Sequence, residues 1–191
     1  MTTPTSPTRT RVIVMLLALA TLLLVAQHGG MMLSNSDDPW LVRASWQEVQ
    51  AFATGQKRFW MLIINFITTL PYQYGGWMGV SLVKMGINAA TLFAFILFLR
   101  ALIGTPYALL CATVWLGLMD VSNGYYSAFH GYLLMFNLPM CLLFLSLWWY
   151  VRLMDRQARG WPLMGAYVLF GLSLLAYEPM MFFTAAFPAI A

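Results

Sequence analysis

From Val12 onward the chain alternates long apolar runs with short polar breaks, and the runs lack the every-other-residue polarity of a membrane barrel strand. As helices, the clear runs are long enough to cross a hydrocarbon core of roughly 30 Å. The pattern predicts spans over residues 12–33, 77–99, 101–119, 128–151 and 161–176, with a tight turn near Gly104-Thr105-Pro106 and a kink at Asn137 and Pro139. The fold class it predicts is all-α, a polytopic transmembrane helix bundle. The first run has the outline of a signal peptide, yet it continues to Leu33, and Leu24-Val25-Ala26 is a poor cleavage site, so it is expected to stay as an uncleaved span. Residues 1–11, polar and punctuated by proline, are expected to be a disordered tail. The apolar segment 180–191 is too short to cross and ends without a polar tail, which predicts that the sequence is the N-terminal part of a longer protein.

The longest polar stretch opens a non-spanning outer loop over 34–76. Val42, Trp46, Val49 and Ala53 share one face at helical spacing, and Arg43, Gln47, Gln50 and Thr54 another, which predicts an interfacial helix over 39–54. Asp38 stands at its N-cap, Pro39 at the first helical position, and Gly55 just past its end. Phe59–Leu70 is apolar but about 12 residues long, and Pro71 is expected to close it. Charge decides its course. If it does not span, Arg9, Arg11, Arg100, Arg152, Arg156 and Arg159 are cytoplasmic, and only Arg43, Lys57 and Arg58 are outside. If it spans, the later arginines change side, and the positive-inside tendency is violated.

Composition sharpens this picture. The chain is 61% hydrophobic and 8% charged, where a soluble domain carries about a quarter charged residues. Its net charge of +4 is scattered at the ends of apolar runs, which excludes a nucleic-acid patch. Cys111 and Cys141 fall inside predicted spans and read as small apolar packing residues.

The acids are asymmetric. Asp37, Asp38, Glu48, Asp120 and Glu178 fall at or near the outer surface, and Asp155 alone is cytoplasmic. A carboxylate cluster there suits a general base or a divalent metal; the pattern specifies neither, and no cofactor motif is evident. Asp38 has a capping role to fill, whereas Asp37 has none. Lys84 lies about two turns inside the second span, where a charge either snorkels outward or faces an internal cavity. Lys57 and Arg58 suit lipid headgroups or a substrate phosphate. Tyr177 and Glu178 end the fifth span, where Glu178 is a solvated end residue or a second acid facing the cavity of Asp37. His130 has no second ligand at metal-binding spacing. Trp40, Trp60, Tyr72, Tyr74, Trp77, Tyr125, Tyr126, Trp148 and Trp149 form an aromatic belt at the span ends.

Three features, taken in order, carry a resemblance. They are a first span followed at once by acids (SNSDDPW), an outer amphipathic helix ending in Gly-x-basic-basic (WLVRASWQEVQAFATGQKR), and a tyrosine with a polar residue at the outer end of a later span (LLAYEPM). In these the chain resembles the polytopic C-type glycosyltransferases that use polyprenyl-phosphate-linked sugars, in particular the bacterial O-antigen glucosyltransferase-like group. The resemblance implies a multi-pass protein of the bacterial inner membrane with its N-terminus cytoplasmic. It also implies Asp37 or Asp38 as the base or acceptor-orienting acid, and sugar transfer to a cell-surface glycan or lipid on the outer face. Membrane lipids and a lipid-linked sugar are the partners this implies. The competing reading is a transporter or flippase component in which Lys84, Asn137 and Pro139 line a path, and a third is a non-catalytic membrane protein.

Overall fold

A computed structural model describes residues 42–56, 60–120, 137–156 and 160–176, with Trp40 and scattered positions between Arg11 and Leu19; of residues 116–120 it describes the backbone alone. The described elements are all helices: α1 (Trp46–Gln56), α2 (Trp60–Ile103), α3 (Thr105–Asp120), α4 (Asn137–Asp155) and α5 (Trp161–Ala176). Where residues of the predicted first span are described, at Val12, Val14, Met15, Leu16 and Leu19, they are helical with exposed apolar side chains.

A reciprocal capping box starts α1. The Ser45 amide and hydroxyl each donate to Glu48 Oε2 at 2.8 Å, and the Glu48 amide donates back to Ser45 Oγ at 3.4 Å. Trp40, Val42 and Arg43 are helical too, so the stretch predicted as one helix over 39–54 is broken at Ala44 and Ser45; Asp38 and Pro39 themselves lie outside the described residues. Gly55 lies within the last turn of the helix and not beyond it. Val49 and Ala53 turn inward, as the periodicity predicts, but Trp46 is 51% exposed, because Val42 and Ala44 from the preceding turn take its place in the core.

Helix α2 departs from expectation at Pro71. The proline removes one helical hydrogen bond, yet the helix runs on and breaks only at Gly76, whose φ of 55° and ψ of −146° suit glycine far better than any other residue. Beyond that break a Cβ on Gly79 would lie 2.2 Å from the Pro71 carbonyl oxygen. Eight residues of straight helix would separate these positions by about 12 Å, so the chain bends sharply here. The two limbs enclose one apolar cluster with α1, in which Trp60, Met61 and Ile64 of the first limb join Val80 of the second and Val42, Val49 and Ala53. Arg43 caps the bend, its guanidinium 5.2 Å from the Trp77 ring centroid.

Gly104, with φ of 82°, ends α2 and also begins α3: its amide bonds to the Arg100 carbonyl at 3.2 Å and its own carbonyl accepts from the Ala108 amide at 3.1 Å. Helix α3 packs on α2 through Leu92, Leu109 and Ala112. Phe95 of α2 meets Trp115 of α3 and Phe144 of α4, with both centroid separations 4.9 Å. Helix α4 is described from Asn137, and the part of the predicted fourth span before it, which would show a kink at Asn137 and Pro139, lies outside the described residues. Residues 121–136 lie outside the described residues.

Helices α2 and α4 are long and apolar enough to cross a membrane, and α5 is a shorter apolar helix. Large apolar side chains point outward along them, among them Phe66, Met78, Phe93, Tyr167 and Leu175.

Candidate functional site

Within the apolar second limb of α2, Lys84, Asn88 and Thr91 recur at the four- and three-residue spacing that places side chains on one helix face. Asn88 and Thr91 meet the start of α4. The Asn137 side-chain amide donates to Asn88 Oδ1, and the Thr91 hydroxyl lies 2.8 Å from the Ile87 carbonyl and 2.9 Å from the Asn137 carbonyl. The hydroxyl has one proton to divide between two acceptors, and one of these ties α2 to α4. Interhelical bonds of this kind contribute about 0.6 kcal/mol on average inside a bilayer. Leaving such groups without partners in an apolar interior costs more.

Lys84 sits one turn before Asn88 and is half-buried. It lies about 10 Å along the helix from Trp77, the first residue after the bend. A second polar group sits on the first limb. Asn65, 2% exposed, donates to the Ala44 carbonyl at 3.4 Å, and the buried Thr68 hydroxyl donates to the Ile64 carbonyl at 2.8 Å. The neighbouring Thr69 hydroxyl oxygen is buried and has no hydrogen-bond partner.

Of the residues predicted to carry chemistry, Lys84 is described, whereas Asp37, Asp38, Lys57, Arg58, Tyr177 and Glu178 lie outside the described residues. Lys84 shares a helix face with Asn88 and Thr91, which in turn bond to Asn137 of α4. Asn65, Asn88 and Thr91 were missed by the sequence reading; their signal was a polar residue inside an apolar run, and for Asn88 and Thr91 also helical spacing from Lys84. Glu48 belongs to the cap: its carboxyl is held below the usual range by the Ser45 hydroxyl and then by the Ser45 amide. Among the described residues no three His, Cys, Asp or Glu side chains gather where a metal ion would be held, and Cys111 and Cys141 are free thiols.

No protein family, curated protein or solved structure matches this chain.

Proposed function

We propose that the chain is a multi-pass membrane domain, N-terminus cytoplasmic, of a bacterial inner-membrane enzyme that transfers sugar from a polyprenyl-phosphate donor to an envelope glycan or lipid on the outer face. The observation that carries the reading is Lys84, a half-buried cation in an apolar helix, sharing a face with Asn88 and Thr91. A charge at that depth is costly and marks a functional site by default. In this role the ammonium offsets charge on the departing lipid phosphate, while Asp37 or Asp38 takes the acceptor hydroxyl's proton. Lys57 and Arg58 hold phosphate at the membrane surface, and Tyr177 and Glu178 complete the outer wall. The first limb of α2, sixteen residues from Trp60 to Gly75, is about 24 Å long, short of the roughly 30 Å core, which supports a dipping and not a crossing segment.

The test is transfer of labelled sugar from the polyprenyl-phosphate pool in membranes carrying the complete protein. Asp37→Asn with Asp38→Asn is expected to abolish transfer while insertion is preserved, and Lys84→Gln to lower it by roughly a hundredfold. Full activity in both variants overturns the mechanism. The transport reading draws on the helix break at Gly76 and the polar contact between α2 and α4. It requires Lys84→Gln to alter lipid-linked sugar crossing while no glycosidic bond is made.

A further inference from the structure

The cytoplasmic end assigned to α4 carries a feature that sugar transfer does not use. Trp148, Trp149, Arg152, Leu153 and Arg156 line an open groove of about 410 Å³, within the roughly 300–1,000 Å³ typical of small-molecule sites. Arg152 lies in the last turn of α4 and Arg156 in the turn just past its end, its amide bonded to the Leu153 carbonyl at 3.2 Å; both line the groove and both are exposed. Among the described residues no carboxylate pairs with either arginine, although Asp155 is their neighbour in sequence. The aromatic wall is held in place: a Cβ on Gly165 of α5 would lie 2.8 Å from Trp149 Cη2, so the absence of a side chain there lets the indole lie against the α5 backbone.

We propose that this groove binds the phosphate headgroup of an anionic lipid of the cytoplasmic leaflet. The two guanidinium groups supply charge-assisted, forked hydrogen bonds to phosphate oxygens, and the tryptophans lie alongside the glycerol and upper acyl chain. The source is a lipid and not free phosphate because the groove sits where a span ends and one wall is apolar. The assignment rests on the membrane reading above.

The test uses the full chain in nanodiscs of phosphatidylcholine doped with phosphatidylglycerol, with retained lipid counted by native mass spectrometry. Wild type is expected to retain phosphatidylglycerol over phosphatidylcholine, and Arg152→Gln with Arg156→Gln to weaken that preference by roughly 30-fold. Arg100→Gln, at the end of another helix, is expected to leave it unchanged; an equal loss there shows general charge attraction and overturns the site. Competition by millimolar inorganic phosphate also overturns it in favour of a free-anion site. Should the double variant not fold, a photoactivatable phosphatidylglycerol on wild type decides: crosslinks are expected within residues 148–156, and crosslinks elsewhere alone overturn the proposal. Failure of the chain to enter nanodiscs removes the membrane reading itself, whereas entry without lipid preference removes only the groove.

Discussion

The two sides of α4 are built differently. Towards α2 it presents Asn137 to Asn88 and Thr91, with Phe144 stacked among the aromatic rings of α2 and α3. Towards α5 it presents Leu143, Leu147 and Tyr150 to Ala166 and Phe170, with a polar tie of 2.7 Å from the Ser146 hydroxyl to the Ala166 carbonyl and the Tyr150 ring 6.2 Å from that of Tyr167. In a bilayer, apolar side chains gain little by leaving lipid tails as apolar as themselves. The α4–α5 contact therefore depends on close approach, and Gly165 beneath Trp149 is its clearest instance. The α2–α4 contact includes polar groups that bond across it, Asn137 to Asn88 and the Thr91 hydroxyl to the Asn137 carbonyl. A seam of the second kind tolerates a charge such as Lys84 on the same helix face, which is why the proposed chemistry belongs there and not beside α5.

This contrast is open to attack by substitution. The largest effect is expected from Gly165→Leu, which drives a side chain into the Trp149 ring and separates α4 from α5 at a cost of about 3 kcal/mol, read from the unfolding midpoint in mixed detergent. Asn137→Leu is expected to cost about 1–2 kcal/mol in the same assay, because it leaves the Asn88 oxygen without its donor. Adding Asn88→Leu to it restores stability towards wild type, since both partners are then apolar; a further loss of similar size contradicts the pairing. Ser146→Ala and Thr91→Val each remove one hydroxyl and are expected to cost about 0.6 kcal/mol. These two distinguish the seams through function: Thr91→Val lowers sugar transfer, whereas Ser146→Ala does not.

The smallest effect lies in neither seam and serves as a control. Glu48 has a lowered pKa in the folded chain, so its contribution to the α1 cap is complete above the ordinary value of 4.5 and is lost as pH falls through the folded value. The protection of the Val49 amide against hydrogen exchange, relative to its intrinsic rate at each pH, is expected to fall over that acidic window; this amide bonds to the Ser45 carbonyl at 3.1 Å. In Glu48→Gln the same step is absent.

The helical class was legible because unbroken apolar runs leave few other solutions. The breaks at Gly76, Gly104 and Gly160 coincide with glycines at the ends of those runs, where positive φ is needed, so the pattern and the backbone mark the same places. Pro71 misled because a helix absorbs one lost hydrogen bond more easily than it reverses, and the reversal waited for glycine. The break at Ala44 and Ser45 inside the predicted 39–54 helix was not legible because the reciprocal bonds between Ser45 and Glu48 that restart the helix are invisible in a string. Lys84 stood out as a charge in an apolar run. Its polar neighbour across the seam did not, because Asn88 and Asn137 are 49 residues apart and meet only through the packing of α2 on α4. The expected acids at 37, 38 and 178 fall outside the described residues, so their relation to Lys84 is carried by the proposal and its activity test.

The central claim is a membrane domain whose α1 and bent first limb stay on the outer side while the end of α4 faces the cytoplasm. Labelling with a membrane-impermeant maleimide tests it most directly, in a chain whose Cys111 and Cys141 are replaced by alanine and which carries one new thiol. Gln47→Cys on α1 and Asp155→Cys at the end of α4 are both exposed positions. The account predicts that Gln47→Cys reacts in intact cells and Asp155→Cys only after permeabilisation. Reaction of both from the same side of the membrane contradicts it.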